Sequence, residues 1–366
     1  MQEFYHILGL IFIVYAMLYT TSKLVFTVIS ILQIKIYTKL YPHIASTEDL
    51  ERYASDNDRK LPVISIIIPA FNEEPNITDS VNSCLNQTYS HTEVVVCSDG
   101  GTDGTLERLV EDFHLYEVED TFKHSSTIKH NLVRRYFKSA VHKNLVVIDK
   151  ENGGKADAQN AAISFSSGVI LTLMDADSIL ESNALVHLAS IFERDAETVA
   201  IGTPIGVVND SVVGADGVEG SSFPKSFWAR VQVLEYLRSF LLGRMAMQKF
   251  KGLMLVSGAF GVYQKWIIDA VGGFEIGSMA EDMDIDCKVW RFISDNKLKF
   301  KIKYVPEVFC WSQVPDDFSN LLIQRDRWSR GLTQTMWKNR KVFLNPRYKS
   351  LGLFSYPYYL FFEWLT

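Results

Sequence analysis

The sequence predicts an α/β domain with a mostly parallel sheet, joined to membrane-associated segments at both ends. Three observations carry this prediction. Apolar, β-branched runs alternate with helical stretches between about residues 62 and 174, which is the pattern of parallel sheets covered by helices. A long apolar run opens the chain, and a basic, aromatic-rich stretch follows the domain. The mean hydropathy of +0.03 suits a soluble domain carried by membrane segments.

The predicted elements follow one another in short, regular intervals. Strands are predicted at residues 63–68, 93–97, 144–149 and 169–174, and helices at residues 76–85, 103–113 and 156–166. Residues 105–143 as a whole are weakly patterned and rich in His and Lys, so we interpret them as a surface insertion.

Polar side chains follow three of the four predicted strands. They are Asn72 with Glu73 and Glu74, Asp99, and Asp175 with Asp177. Because loops at the carboxyl ends of parallel strands form the sites of such sheets, we expect these side chains to share one site. An Asp-x-Asp sequence at a strand end also offers two hard oxygen ligands, which suit Mg²⁺ or Mn²⁺.

The N-terminal run predicts a transmembrane helix. No formal charge lies between Glu3 and Lys23, and the apolar run resumes over residues 24–34; a spanning helix needs about 20 such residues. We assign residues 1–35 to this helix, with a cleaved signal peptide and a buried core helix as alternatives. Lys35 and Lys39 follow the run, so the positive-inside rule predicts that the large domain after it lies in the cytoplasm, at the cell (inner or plasma) membrane.

The flanks of the domain have their own compositions. Residues 36–61 are polar and are predicted as a juxtamembrane linker. Residues 316–350 hold eight basic residues with interleaved aromatics, which favours amphipathic helices on an anionic membrane face over a solvated basic helix. Residues 351–366 resemble the start of a further membrane segment that is too short to span, as in a truncated or re-entrant end.

Several classes of protein are excluded by composition and motif. The net charge is −6, with 37 Lys and Arg against 43 Asp and Glu, so there is no basic excess for nucleic-acid binding. The four cysteines have no metal-ligand spacing. The sequence GGKA at residues 153–156 lacks the first glycine and the hydroxyl of a P-loop, and no dinucleotide-binding glycine motif follows the first strand.

Seven short motifs occur in a fixed order, and together they carry a resemblance. They are PAFNEE (69–74), DGGTD (99–103), GGKA (153–156), DAD (175–177), SGAFG (257–261), AED (280–282) and QRDRW (324–328). Over about residues 60–350 the chain resembles the membrane-bound family 2 glycosyltransferases, which include cellulose, chitin, hyaluronan and poly-N-acetylglucosamine synthases. The Q-x-x-R-W motif is typical of the processive members. The resemblance implies a GT-A nucleotide-sugar-binding fold over residues 62–315.

The resemblance also implies which residues bind the nucleotide sugar: Asn72, Glu74, Asp99, Lys155, Asp175, Asp177 and Arg327. Asp99 would pair with the uracil N–H, although Ser98 and Gly101 depart from the usual family motif. Asp175 would face the ribose, and Asp177 would hold a Mg²⁺ or Mn²⁺ ion between the phosphates. Lys155 would lie near the diphosphate.

A second group of residues is implied for chemistry and for the acceptor. Asp282 would be the general base that accepts the proton of the acceptor hydroxyl; acids in the first turn of a helix are the structural alternative. Arg327 would neutralise the diphosphate leaving group. Gln324, Trp328 and Glu281 would contact the acceptor.

The activity implied is inverting transfer from a UDP-sugar, UDP-GlcNAc or UDP-glucose, to the end of a growing β-linked polysaccharide. The partners implied are the donor, the acceptor chain, the lipid membrane and other membrane subunits. Two alternatives stay open: single transfer onto a lipid carrier, and a catalytically silent subunit that senses nucleotide sugars.

Overall fold

A computed structural model describes residues 2–41, 46–56, 59–119, 127–214 and 217–364. The helices of this described part are α1 (Gln2–Leu40), α2 (Thr47–Ser55), α3 (Ile77–Leu85), α4 (Thr105–Asp112), α5 (Lys155–Phe165), α6 (Ala184–Arg194), α7 (Phe227–Tyr236), α8 (Arg244–Lys249), α9 (Lys265–Ala270), α10 (Glu281–Asp295), α11 (Phe318–Lys338) and α12 (Tyr356–Tyr359). A π-helical segment, Leu237–Gly243, joins α7 to α8.

The strands form one large sheet and two small ones. They are β1 (Ile64–Ala70), β2 (Thr92–Ser98), β3 (Leu115–Val118), β4 (Val133–Ser139), β5 (Leu145–Lys150), β6 (Ile170–Met174), β7 (Ser178–Leu180), β8 (Thr198–Gly202), β9 (Ile205–Val207), β10 (Val212–Gly214), β11 (Gly217–Gly220), β12 (Phe260–Gln264), β13 (Lys301–Tyr304) and β14 (Cys310–Ser312). The large sheet has nine strands in the order β13-β8-β12-β6-β1-β2-β5-β4-β3.

The centre of the large sheet is parallel, as the apolar runs predict. Strands β6, β1, β2 and β5 lie side by side and all run in one direction. Ile67 of β1 faces Val95 on one neighbour and Leu173 on the other, and all three are buried. Strands buried on both faces read as continuous Val, Ile and Leu runs, so the α/β prediction is confirmed, with antiparallel strands added on both sides.

Two stretches contain more regular structure than their patterns predict. Residues 105–143 include β3 and β4, which extend the sheet as an antiparallel edge. Strand β4 lies between β5 and β3, which forms the edge of the sheet. Arg134 and Arg135 are exposed on β4, and these charges interrupt the apolar pattern that would mark a strand in the sequence. Residues 120–126 of this stretch lie outside the described part. In the 36–61 stretch, α1 continues to Leu40 and α2 buries Leu50.

Helix α1, at the N terminus, packs against the C-terminal segment of the chain. Within the described residues it is the one helix, over Glu3–Leu40, that is long and apolar enough to cross a membrane, with a mean hydropathy of 1.7 over its most apolar window. The Lys23 ammonium donates to Tyr358 Oη and to Glu363 Oε1, each at 2.8 Å. The apolar N-terminal run and the aromatic C-terminal run therefore form one structural unit beside the sheet.

Candidate active site

The loops at the carboxyl ends of β6, β1 and β2 open into one large cavity. Its volume is about 1050 Å³. Of the eleven site residues expected from the sequence, nine line this cavity: Asp99, Lys155, Asp175, Asp177, Glu281, Asp282, Gln324, Arg327 and Trp328. The tertiary fold thus brings together motifs that are as much as 229 positions apart in the printed numbering, from Asp99 to Trp328.

The other two expected residues, Asn72 and Glu74, lie beside the cavity and hold its loops. Asn72 has a left-handed backbone, with φ of 57°, and its Oδ1 accepts a hydrogen bond from the Thr102 N–H at 2.8 Å. Glu74 Oε2 accepts from the Gly104 N–H at 3.0 Å. Both side chains tie the loop after β1 to the loop after β2. Glu73, between them, lines the cavity instead.

Asp99 is buried at the end of β2 in a network of charge-assisted hydrogen bonds. Its Oδ1 accepts from the Lys150 ammonium at 2.5 Å and from the Gly153 N–H at 3.1 Å, and its Oδ2 accepts from the Gly154 N–H at 2.8 Å. Lys150 also forms an ion pair with Asp157. Asp99 therefore holds the glycine loop that precedes Lys155, in addition to reaching the cavity.

The carboxylates after β6 are crowded. Asp175 forms an ion pair with the Lys155 ammonium at 2.5 Å. Burial, followed by the charges of Asp175 and Glu73, raises the pKa of Asp177 to about 6. Burial lowers the pKa of Lys155, but the charges of Asp175 and Glu281 outweigh it and raise that pKa overall. The carboxylates of Glu73, Asp175 and Asp177 together thus carry more negative charge than the single Lys155 ammonium neutralises.

This crowding fits a divalent cation. No cluster of three or more His, Cys, Asp or Glu side chains in the described ranges meets the geometry of a metal site. Mg²⁺ and its analogues bind through one or two carboxylates together with substrate phosphates, and Asp175 and Asp177 supply that number. The donor set therefore suits an ion that arrives with a diphosphate.

Asp282 lies in the first turn of α10 and faces the same cavity. Its Oδ2 accepts from the Gly258 N–H and its Oδ1 from the Met283 N–H, both at 2.8 Å. Burial, followed by the neighbouring Glu281 carboxylate, raises the pKa of Asp282 to about 6. Such a value gives a carboxylate the basicity that proton transfer near neutral pH requires.

Lys155 connects the two acidic walls. Besides Asp175, its ammonium lies 3.1 Å from Glu281 Oε1 and donates to the Gly258 carbonyl at 3.1 Å. Glu281 is thereby engaged inside the protein, one residue from Asp282. The lysine holds the loop after β6 and the start of α10 at a fixed separation.

The opposite wall of the cavity comes from α11. Asp317 caps this helix by accepting from the Asn320 N–H at 2.9 Å. Gln324, Arg327 and Trp328 then follow at helical spacings of three and four residues, which place them on one face. The Arg325 guanidinium packs 4.3 Å from the Trp328 ring centroid and binds Glu235 through two hydrogen bonds of 2.9 and 2.6 Å. Trp328 is therefore held firmly at the cavity.

The comparisons with known proteins agree with this geometry. The model of the family described as glycosyltransferase like family 2 matches residues 62–331. The chain belongs to this family. The match spans the whole sheet and ends inside α11, so it includes every motif that lines the cavity, and it confirms the resemblance seen in the sequence.

Two curated relatives have the same description. Poly-beta-1,6-N-acetyl-D-glucosamine synthase of Staphylococcus epidermidis is 24% identical over 285 residues, which cover 76% of this chain and 58% of that protein. The synthase of Staphylococcus aureus (strain COL) is 24% identical over 306 residues, covering 83% and 61%. The chain thus spans about three-fifths of the length of the relatives that it matches.

A solved structure supports the fold. A mannosyltransferase from Pyrobaculum calidifontis, in complex with GDP-Man and Mn²⁺, has a TM-score of 0.57 and 18% identity, and covers 91% of this chain and 81% of that one. This likeness concerns the fold, and it confirms the GT-A architecture expected from the motifs.

Two residues are not predicted from the sequence: Arg244, which lines the glycosyltransferase cavity, and Lys150, which holds Asp99 beside it. Glu73 is expected at this site together with Asn72 and Glu74, but without a role of its own, because a strand-end loop does not reveal which of three polar side chains turns inward. Lys150 directly follows the strand predicted at residues 144–149, and no pattern marks it as a functional residue. Arg244 stands alone among apolar residues in the segment FLLGRMAM (240–247), and a single charge in such a run was the available signal.

Proposed function

We propose that this glycosyltransferase transfers a sugar from a UDP-sugar, with UDP-GlcNAc favoured, to the end of a growing β-linked polysaccharide at a membrane. One observation carries the proposal: the Asp-x-Asp carboxylates, Asp282 and the Arg327–Trp328 pair line three walls of a single cavity. The relatives named poly-beta-1,6-N-acetyl-D-glucosamine synthase support GlcNAc as the sugar.

The donor would bind along the ends of β2 and β6. Asp99 would accept from the uracil N–H, and Asp175 would face the ribose. Asp177 would hold Mg²⁺ or Mn²⁺, which neutralises diphosphate charge and so favours departure of the nucleotide. Lys155 would orient the carboxylates around the diphosphate, and Arg327 would bind the leaving group from the other side.

The chemical step would be a single displacement. The acceptor hydroxyl oxygen attacks the anomeric carbon, and its proton passes to the Asp282 carboxylate. The bond from the anomeric carbon to the diphosphate oxygen breaks, and its electron pair leaves with UDP. An α-linked donor thus gives a β-linked product, and no second carboxylate is needed as a nucleophile.

The acceptor would approach along α11, where Trp328 offers a ring face for a sugar and Gln324 a polar amide. The same cavity is also lined by Lys23 of α1 and by Tyr358 and Trp364 of the C-terminal segment. This continuity supports an acceptor that leaves the site on the side of the apolar helices. Residues 1–35 would span the membrane, with the catalytic domain in the cytoplasm and residues 316–350 on the membrane face.

Product analysis tests the activity. The membrane-embedded chain is incubated with UDP-GlcNAc or UDP-glucose, with Mg²⁺ or Mn²⁺, and with or without an oligosaccharide acceptor. We expect UDP release together with a β-linked polymer. One sugar per acceptor would instead identify a single-transfer enzyme, and no UDP release under any condition would indicate a silent subunit.

Membrane fractionation tests the location. We expect alkaline carbonate to leave the chain in the membrane pellet, because about 20 apolar residues suffice to span. Protease added outside right-side-out vesicles should spare the catalytic domain. Cleavage of that domain from outside would refute the orientation.

A further inference from the structure

Arg244 is a buried cation at the cavity that no motif assigns. It opens α8, directly after the π-helical segment, and 4% of its surface is exposed. It lines the same cavity as Asp177 and Asp282. Its guanidinium lies 4.1 Å from the Phe240 ring centroid. Among the described residues, its Nη1 atom has no hydrogen-bond partner.

The surroundings of Arg244 leave its charge incompletely balanced. Burying a charge is costly unless it is paired and hydrogen-bonded, and stacking on an aromatic ring recovers only part of that cost. Among the residues that the structure describes, no carboxylate lies within 4.0 Å of the guanidinium. The charge of Arg244 acts on Asp282 and Asp286 and opposes the rise of each pKa, but both carboxylates are hydrogen-bonded elsewhere. Asp286 accepts from the Val256 N–H and the Tyr263 hydroxyl, and Asp282 accepts from the Gly258 N–H.

The other cationic side chains that line the cavity already have partners within the described part of the protein, except for Arg327. The proposed mechanism assigns Arg327 to the diphosphate. Lys155 is paired with Asp175 and Glu281, and Lys23 is paired with Glu363. Arg238 donates to the Tyr19 hydroxyl at 2.8 Å. A ligand that brings negative charge into the cavity would therefore meet Arg244 as a cation that, among the described residues, has no carboxylate in ion-pair contact.

We propose that Arg244 binds an anionic oxygen of the donor diphosphate, so that two arginines, Arg244 and Arg327, hold that group in the cavity. The inference rests on the proposed function, in which the diphosphate is the anion and the acceptor sugar is neutral. A planar guanidinium suits phosphate oxygens because it offers parallel N–H donors. In this role Arg244 contacts the substrate directly.

The test compares ligands with and without the diphosphate. UDP affinity is measured by calorimetry with Mn²⁺, and uridine affinity by ligand-observed NMR, for the full chain and for Arg244→Gln. We expect UDP to bind about 10-fold to 100-fold more weakly to the variant, as for loss of a hydrogen bond to a charged group, with uridine affinity unchanged. Arg244→Lys should recover part of the UDP affinity.

A matched control is Arg291→Gln. Arg291 lies on α10 and donates to Asn339 Oδ1 at 3.2 Å, away from the residues that line the cavity. This variant should bind UDP as the wild type does. Equal losses of UDP and uridine affinity in Arg244→Gln, or unchanged UDP affinity, would overturn the proposal.

Two further outcomes are separated by the same design. If Arg244→Gln does not fold, as judged by its thermal melt, Arg244→Lys decides: the shorter reach and lost fork should weaken UDP about threefold or more, and unchanged affinity overturns the inference. If the wild type binds GDP but not UDP, the proposed donor is wrong, and GDP against guanosine then tests Arg244. If it binds no nucleoside diphosphate, both proposals fail.

Discussion

The substitution Asp282→Asn separates binding from chemistry. Asn keeps the size of the side chain and leaves an oxygen that can accept from the Gly258 N–H, which lies at 2.8 Å in the structure. The Met283 N–H then loses its acceptor, and one such hydrogen bond is worth about 1 kcal/mol. Because the buried negative charge is removed at the same time, we expect little net change in the free energy of unfolding.

The effect on rate should be much larger. An amide does not accept the proton of the acceptor hydroxyl, and loss of a positioned general base typically costs about 10²–10⁴ in rate. Each factor of ten corresponds to about 1.4 kcal/mol, so the barrier should rise by about 3–5 kcal/mol. The base acts as the hydroxyl loses its proton, so donor affinity should be almost unchanged.

The assay is UDP release at saturating donor and acceptor, with UDP affinity measured separately by calorimetry. Asp284→Asn is the matched control, because Asp284 lies in the same first turn of α10 but binds the Lys338 ammonium at 3.1 Å, outside the cavity. The control should keep most of the wild-type rate. Wild-type turnover in Asp282→Asn would refute the assignment, and Glu281 would be the next residue to test. An equal loss in both variants would indicate a disturbed helix start.

Three further predictions follow from the same contacts. First, the maximal rate should rise with pH to about 6 and then level off. Burial and the Glu281 carboxylate raise the pKa of Asp282 to about 6, and the residue accepts a proton only when it is ionised. A flat profile between about pH 5 and 7 would contradict this. Second, Asp177→Asn should weaken UDP binding about tenfold or more in Mn²⁺ but hardly in EDTA; an equal loss in both buffers would exclude metal binding by Asp177. Third, Lys150→Met leaves the buried Asp99 and Asp157 carboxylates without their cation and should lower the free energy of urea unfolding by about 3–5 kcal/mol. Arg134→Gln, which breaks an exposed ion pair with Glu151, should cost about 1 kcal/mol or less, and similar losses in the two variants would argue against a special role of Lys150.

Local pattern predicted the centre of the fold well. The runs around Ile67, Val95 and Leu173 are β-branched or apolar throughout, and strands buried on both faces require such runs. The strand Val133–Ser139 escaped prediction because charged residues interrupt its buried positions, so neither a continuous apolar run nor a strict alternation marks it.

The sequence by itself determined which chemical groups are present and the order in which they occur. The seven motifs named the family and nine of the residues that line the cavity, because each motif is local and its residue types are tied to one kind of chemistry. Their roles in the reaction stay predictions.

Only the tertiary structure decided which groups meet. Lys155 contacts Asp175 and Glu281, which lie 20 and 126 positions further along the printed sequence, and Arg244 is buried without a carboxylate within ion-pair distance in the described part of the chain. Side-chain periodicity reports only which face of a helix or strand a residue occupies. The partner across that face is set by the packing of distant elements, and with it the charge that each group feels.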